Sequence, residues 1–210
     1  MLSLHQQKEI TTNLKTERLN RKEDKKKNKN NMKFMVRNAR LSYVRVFEAN
    51  QVNGQGGAAY SVCLLIPKDS PEVPGIRAAI AAEYENLKVR YPKLAGKNPK
   101  AWNNPLRDGD EEKDGAEFKG CYFINAKRKE AQGAPIVIDG KKQYITDKNE
   151  VYSGCYGNVA VSFYPYEFTG KYGVGVGLNG IQKTADGERL DGGTSIDDFD
   201  TIDENDDLFN

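Results

Sequence analysis

Between Lys33 and Gln182 the chain is a succession of segments in which Val, Ile, Tyr and Phe alternate with polar or small residues, separated by clusters of Gly, Pro, Asn and Asp. Alternation at period two predicts strands with one packed face. The expected strands are Lys33 to Phe47, Ala59 to Ile66, Glu117 to Lys127, Pro135 to Asp139, Val151 to Tyr166 and Tyr172 to Gln182. The longer ones are expected to bend or carry bulges. The period changes once: after Ser70 and Pro71, the residues Val73, Ile76, Ile80, Tyr84, Leu87 and Tyr91 recur at spacings of three and four. That spacing predicts a helix with Ser70 as N-cap and Pro71 in its first turn, stopped by Pro92. From Lys93 to Gly115 the chain turns Gly-, Pro-, Asn- and charge-rich, which reads as a long excursion from the sheet. The sum is a mainly β domain, a small barrel with one inserted helix.

Separating the strand faces adds detail. In YGVGVGLNGIQK, Val174, Val176 and Leu178 share one face while Gly173, Gly175 and Gly177 share the other. Two readings of the glycine stripe stand side by side: it admits a close-lying polymer backbone, or it lets a barrel strand curve sharply. In YGNVAVSFYPYEF, Val159, Val161 and Phe163 are expected in the core, with Asn158, Ala160, Ser162, Tyr164 and Tyr166 on the opposite face.

Composition narrows the class. Only 38% of the 210 residues are hydrophobic, and no apolar run approaches the roughly 18 to 20 residues of a membrane span. Residues 1 to 31 contain no apolar signal region, and Cys63, Cys121 and Cys155 form neither a disulfide framework nor a CxxC pair, so a reducing cytoplasm is expected. The single histidine, His5, leaves little room for His-based acid/base, metal or triad chemistry.

The net charge of +2 conceals three regions. Residues 1–31 hold nine Lys/Arg against four Asp/Glu, residues 191–210 none against eight, and residues 32–190 the remaining 23 against 18. An acidic stretch with few apolar residues cannot bury enough surface to offset its ordering entropy, so a disordered C-terminal tail is expected at 191–210 and a basic, disordered extension at 1–31, flanking a domain at 32–190. The switch at Met32 also fits a start at Met32 or Met35 preceded by read-through.

Eleven tyrosines, eight phenylalanines and one tryptophan interleave with Lys/Arg. Bases stack on aromatic rings and phosphates pair with cations, which is the chemistry of a sequence-tolerant single-strand binder. The candidate contacts are Arg40, Tyr43 and Arg45; Trp102 and Arg107; Tyr122, Lys127 and Arg128; Tyr156, Tyr164 and Lys171. Each has a plainer alternative, a strand tyrosine as half-buried core and a lysine as solvated surface. Trp102 lies in the polar stretch KNPKAWNNPLRDGD, and its alternative is a plug for the barrel end. In RDGDEEKDGAE, Asp108, Asp110, Glu111, Glu112 and Asp114 raise a second possibility, a Mg²⁺-dependent nuclease. Against it, the stretch has the composition of a solvated turn, lacks the EF-hand glutamate and has no histidine nearby. No GxxxxGK[ST] loop is present, and GVGVGLNG lies in a strand where a dinucleotide fingerprint needs a strand-to-helix turn. No cofactor is expected.

The ordered blocks VRNARLSYVRVFEA, YSVCLLIPK, NPLRDGDEE, FKGCYFINAK, PIVID, VYSGCYGNVAVSFYPYE and GVGVGLNGIQKTADGERLDGG resemble a family of phage single-stranded-DNA-binding proteins over about residues 33 to 193. The resemblance implies an OB-like fold, sequence-independent binding of single-stranded DNA, no catalytic residues, and a role in phage replication or recombination inside the bacterial host. Residues 1–31 depart from the pattern. The end of the chain resembles the acidic, apolar-tipped tails of bacterial and T7-type single-stranded-DNA-binding proteins, with Asp206, Asp207, Leu208 and Phe209 as the tip. Such a tail implies autoinhibition of an empty DNA groove and recruitment of a phage or host polymerase, helicase or recombinase; the alternative is a solubilising tail. Strand annealing as a recombination mediator and self-association into a homo-oligomer are left open, and no membrane contact is expected.

Overall fold

The computed structural model describes residues 33–51, 57–94, 96–98 and 101–190. The extension at 1–31 and the tail at 191–210, with Asp206, Asp207, Leu208 and Phe209, lie outside the described residues.

Among the described residues seven strands form one sheet: β1 Lys33–Asn50, β2 Ala59–Pro67, β3 Arg107–Asp108, β4 Cys121–Lys129, β5 Ile136–Ile138, β6 Tyr156–Phe168 and β7 Lys171–Ala185. The order is β3-β4-β2-β1-β6-β7-β5, and a further parallel contact of β4 with β7 closes β1, β2, β4, β7 and β6 into a barrel. This is an OB-like barrel. Its closure rests on the first strand being shared: Arg40 pairs with Leu65 of β2 and with Tyr156 of β6. A strand reaching across two neighbours has to bend, and β1 does so through register shifts between Val36 and Ala39 and between Ser42 and Arg45. Asn38 and Tyr43 take the left-handed conformation at those bends, each at φ 49°. A third register shift in β1, between Arg45 and Asn50, continues the bending expected of the long strands.

The core follows the predicted alternation. Val174, Val176 and Leu178 are buried on β7 and Val159, Val161 and Phe163 on β6, packed with Leu64, Ile66, Ile124 and Ala126. Helix α1, Glu72–Arg90, covers one end of the barrel with Val73, Ile76 and Ile80. Its start is fixed as the sequence predicts, the Glu72 N–H donating to Ser70 Oγ over 3.3 Å. Further along, Leu87 packs with Leu94 and Trp102, so the excursion after Pro92 folds back onto the helix.

Several boundaries differ from the sequence reading. Glu117 and Phe118 belong to a 3₁₀ turn, and β4 begins only after Gly120 turns the chain at φ 68°. Residues 151 to 155 are likewise a turn ahead of β6, with Gly154 at φ 123°. The short β3 and the single helical turn α2, Gly109–Glu112, were not foreseen; two residues of strand carry too little periodicity to register. A second apolar cluster, Cys63, Leu65, Phe118 and Phe123, sits on the outer face of β2 and β4 beneath that excursion, with Leu190 against it. Burial pushes the Cys63 thiol up to about 12, so it behaves as a small apolar side chain.

Candidate nucleic-acid interface

The outer face of the barrel holds a row of polar and small residues that crosses all five strands. Cα partners run from Arg45 of β1 to Ser61 of β2, Lys127 of β4, Gly177 of β7 and Ser162 of β6. Above the last four lies a groove of about 610 Å³, walled by Asn50 and Gly57 from the ends of the β1–β2 connection and by Gln132 and Asn179. A second concavity of about 390 Å³ shares Lys127 and Tyr164 with it and continues to Tyr166, Asn104 and Arg107. Together they form one path over β4 and β7.

The local sequence explains this floor. On β4, Asn125, Lys127 and Lys129 share the exposed phase while Ile124 and Ala126 take the buried one. On β7 an extra residue, Asn179, interrupts the register with β6 and donates its side-chain amide to Ser162 Oγ over 2.8 Å. Ser162 is thereby satisfied although buried. The glycine stripe has a specific occupant: a Cβ at Gly175 would stand 2.6 Å from the Tyr164 ring. Tyr164 therefore lies across its cross-strand partner Gly175 and keeps 40% of its surface exposed. Burial of the remainder raises its phenol above the usual tyrosine range. A Cβ at Gly173 would collide with Asn103, whose backbone bonds to β7 on either side. Gly177, whose Cβ would meet nothing closer than 3.6 Å, leaves the groove floor open. Gly173 and Gly175 thus make room for residues of this chain, Asn103 and Tyr164, and of the three glycines only Gly177 is left clear.

The predicted residues fall into three groups. Lys127, Arg128 and Tyr164 line the larger groove, and Arg107 lines the smaller with Lys127 and Tyr164. Lys127 is exposed with no ion pair among the described residues, so its ammonium is available to a phosphate. Arg128 is instead committed: its guanidinium donates to the carbonyls of Gly133 and Gln132, each at 2.7 Å, and of Leu178 at 3.4 Å. Arg107 pairs with Glu112 and lies 4.8 Å over the Phe123 ring.

Elsewhere on the surface, Tyr43 is 59% exposed and stacks on Phe118. Arg45 is exposed on β1, and Lys171 is exposed where β6 turns into β7. The remaining candidates are enclosed or tied to structure. Trp102 is only 7% exposed and packs edge-on against Tyr84 at 5.6 Å, in a small cluster with Leu87 and Leu94 that is separate from the barrel core. Arg40 donates to the carbonyls of Gly154 and Glu188, Tyr122 carries the cations of Arg77 and Lys68 over its ring, and Tyr156 is half-buried where a Cβ at Gly187 would meet it. Groove residues that sequence reasoning missed include Asn50, Ser61, Lys129, Gln132 and Asn179. The β4 phase was the available signal for the floor; the Asn179 bulge had none.

Three of the five carboxylates of the acidic stretch, Asp108, Asp110 and Glu112, are held by cations. Lys68 Nζ lies 2.6 Å from Asp108 and 2.8 Å from Asp110, while Glu112 pairs with Arg107. The Lys68 ammonium, with the Gly120 N–H, keeps the Asp110 carboxyl below the usual carboxylate range. Asp108 also caps α2, its carboxylate accepting from the Asp110 N–H. No cluster of three or more His, Cys, Asp or Glu side chains arranged for a metal occurs among the described residues.

Comparison with known proteins gives these features a lineage. The protein p50 of Acyrthosiphon pisum secondary endosymbiont phage 1 is 35% identical over 186 residues, covering 81% of this chain and 94% of p50. The single-stranded DNA-binding protein from bacteriophage Enc34, solved in complex with ssDNA, superposes with a TM-score of 0.62 at 24% identity, over 75% of this chain and 89% of that one. The single-stranded DNA-binding protein gp2.5 of bacteriophage T7 does so with a TM-score of 0.56 at 18% identity, over 83% and 96%. At these identities both structures speak to the fold. The family described as Enterobacter phage Enc34, ssDNA-binding protein, matches residues 32–209, and this chain belongs to that family.

Proposed function

We propose that this chain binds single-stranded DNA without regard to base sequence and shields it during phage DNA replication and recombination in the cytoplasm of the bacterial host. The observation that carries this reading is the outer groove: an uncommitted Lys127 beside a Tyr164 ring laid over Gly175, above a floor opened by Gly177. A cation for the phosphate, a ring for the base and room for a strand to approach closely are what sequence-tolerant binding needs. Membership of the Enc34 family and the single strand held by the Enc34 protein support it. The chain acts without catalysis in this reading, which is supported by the pairing of Asp108, Asp110 and Glu112 of the acidic stretch with Lys68 and Arg107. The tail, with eight acidic residues between 191 and 210, competes with DNA for the groove and offers Leu208 and Phe209 to a polymerase, helicase or recombinase.

Fluorescence anisotropy with mixed-sequence single-stranded DNA, duplex DNA and RNA, across a salt series in EDTA, tests the reading. Metal-independent preference for the single strand is expected, with log affinity falling by about 0.7 per neutralised phosphate per log unit of salt. Duplex preference or an absolute need for Mg²⁺ sinks it. Deleting residues 191–210 is expected to tighten binding at low salt; unchanged affinity removes the autoinhibitory part alone.

A further inference from the structure

Beyond the groove, β6 and β7 run on past the barrel as a two-stranded hairpin, paired without register shift from Val161↔Leu178 to Phe168↔Lys171. Uninterrupted pairing preserves alternation, so Tyr164, Tyr166 and Phe168 fall on the outer face, opposite in phase to the buried Val161 and Phe163. Their cross-strand partners are Gly175, Gly173 and Lys171, so the first two rings face no side chain on the neighbouring strand. Phe168 is 70% exposed, an unusual position for a phenylalanine with no ring partner among the described residues.

The opposite face of the hairpin is braced. Arg90, at the end of α1, donates to the Pro165 carbonyl over 3.4 Å, Tyr91 packs edge-on against Tyr172 at 5.4 Å, and Lys93 lies 5.5 Å over the same ring. The turn is fixed too, the Gly170 N–H donating to the Glu167 carboxylate over 2.7 Å. In front, Asn103 lies over Gly173 and the hairpin beyond it is open at Phe168; an arm braced in this way is pre-organised for a ligand that stacks, because ordering it costs little on binding.

The geometry points to the β6–β7 hairpin as a stacking arm for consecutive bases of a single strand, with Phe168 as its outermost platform. Alternate residues on one strand face stand roughly 7 Å apart, about two base-stacking steps, so the rings can hold alternate bases or clasp one between neighbours. This rests on the single-strand reading above and extends it outward from the Lys127 groove to the hairpin tip.

Phe168→Trp places a reporter at the tip, against a background from the enclosed Trp102. Quenching of the added emission by saturating oligo(dT), together with a loss of about tenfold in affinity for Phe168→Ala at an unchanged salt slope, is the expected result. Phe168→Tyr is expected to bind as the parent does, and Phe168→Leu to resemble the alanine variant. Anisotropy showing binding by the parent chain while the emission added by Phe168→Trp stays unquenched, or while Phe168→Ala binds undiminished, overturns the arm and leaves the groove standing. Absence of single-strand binding by the parent overturns both.

Discussion

At the scale of single residues, the proposed division of the groove between stacking by Tyr164 and charge from Lys127 can be separated by substitution. Tyr164→Ala removes the ring seated on Gly175 and is expected to weaken single-strand binding by about 2 kcal/mol, with the salt slope intact. Tyr164→Phe, which keeps the ring, is expected to bind nearly as the parent does. Lys127→Ala should instead lower the slope of log affinity against log salt by about 0.7, the contribution of one phosphate contact. Arg128→Ala supplies the contrast: it strips three carbonyls of their donor and is expected to lower stability by about 2 kcal/mol, read as a fall in melting temperature. If Arg128→Ala altered the salt slope and left the melting temperature alone, its assignment as a structural tie would be wrong. Both Lys127 and Arg128 read as surface cations in the sequence. What separates them is phase: Arg128 shares the strand phase of Ile124 and Ala126 and at the strand end folds back onto the Gln132, Gly133 and Leu178 carbonyls, while Lys127 follows Asn125 outward. Tyr122 shares the inward phase, and Ile124 and Ala126 marked that phase in the sequence.

At the scale of elements, the helix, its cap and the inward faces of β6 and β7 were legible because each depends on neighbours along the chain. The excursion between α1 and β4 was legible as an excursion but its packing was not, since Leu94, Trp102 and Phe118 are apolar residues spaced without period among polar ones and are buried in clusters outside the barrel core. Alternation reveals that β4 has two faces; it cannot show that Phe118 and Leu190 pack at the Phe123 end of the outer one. Lys68 pins this excursion to β2 through Asp108 and Asp110. The sign of its pH dependence follows from both partners. Asp110 is held below its ordinary value by Lys68 and the Gly120 N–H, so its contribution is complete above the unfolded carboxylate value of about 3.9 and is lost as pH falls through the lower folded one. Lys68 is held above its ordinary value by Asp108 and Asp110, so its contribution is complete below about pH 10.4 and is lost only at still higher pH. Lys68→Met is therefore expected to melt below the parent by a gap that stays constant between about pH 5 and 9 and narrows below about pH 4. A gap unchanged down to about pH 2 would show that the ion pair is not its source.

At the scale of the whole molecule, the barrel closes at one place where pairing is thinnest. Antiparallel ladders join four of its five neighbouring strand pairs, whereas β4 meets β7 in a single parallel partnership, Lys127 with Gly177. Those two residues are also part of the groove floor. A ligand lying across them joins the two sides of the seam from outside, so occupancy and barrel closure are one equilibrium seen from two directions. Amide hydrogen exchange makes this measurable: the protons around Lys127 and Gly177 are expected to exchange faster than those of the β6–β7 ladder in the free protein. They should slow most when a single strand is added, and uniform slowing across the barrel would argue against the seam. Thermodynamic reciprocity then turns the weakest joint of the fold into a handle on affinity, because whatever holds the seam shut prepays part of the ordering that DNA would otherwise have to impose.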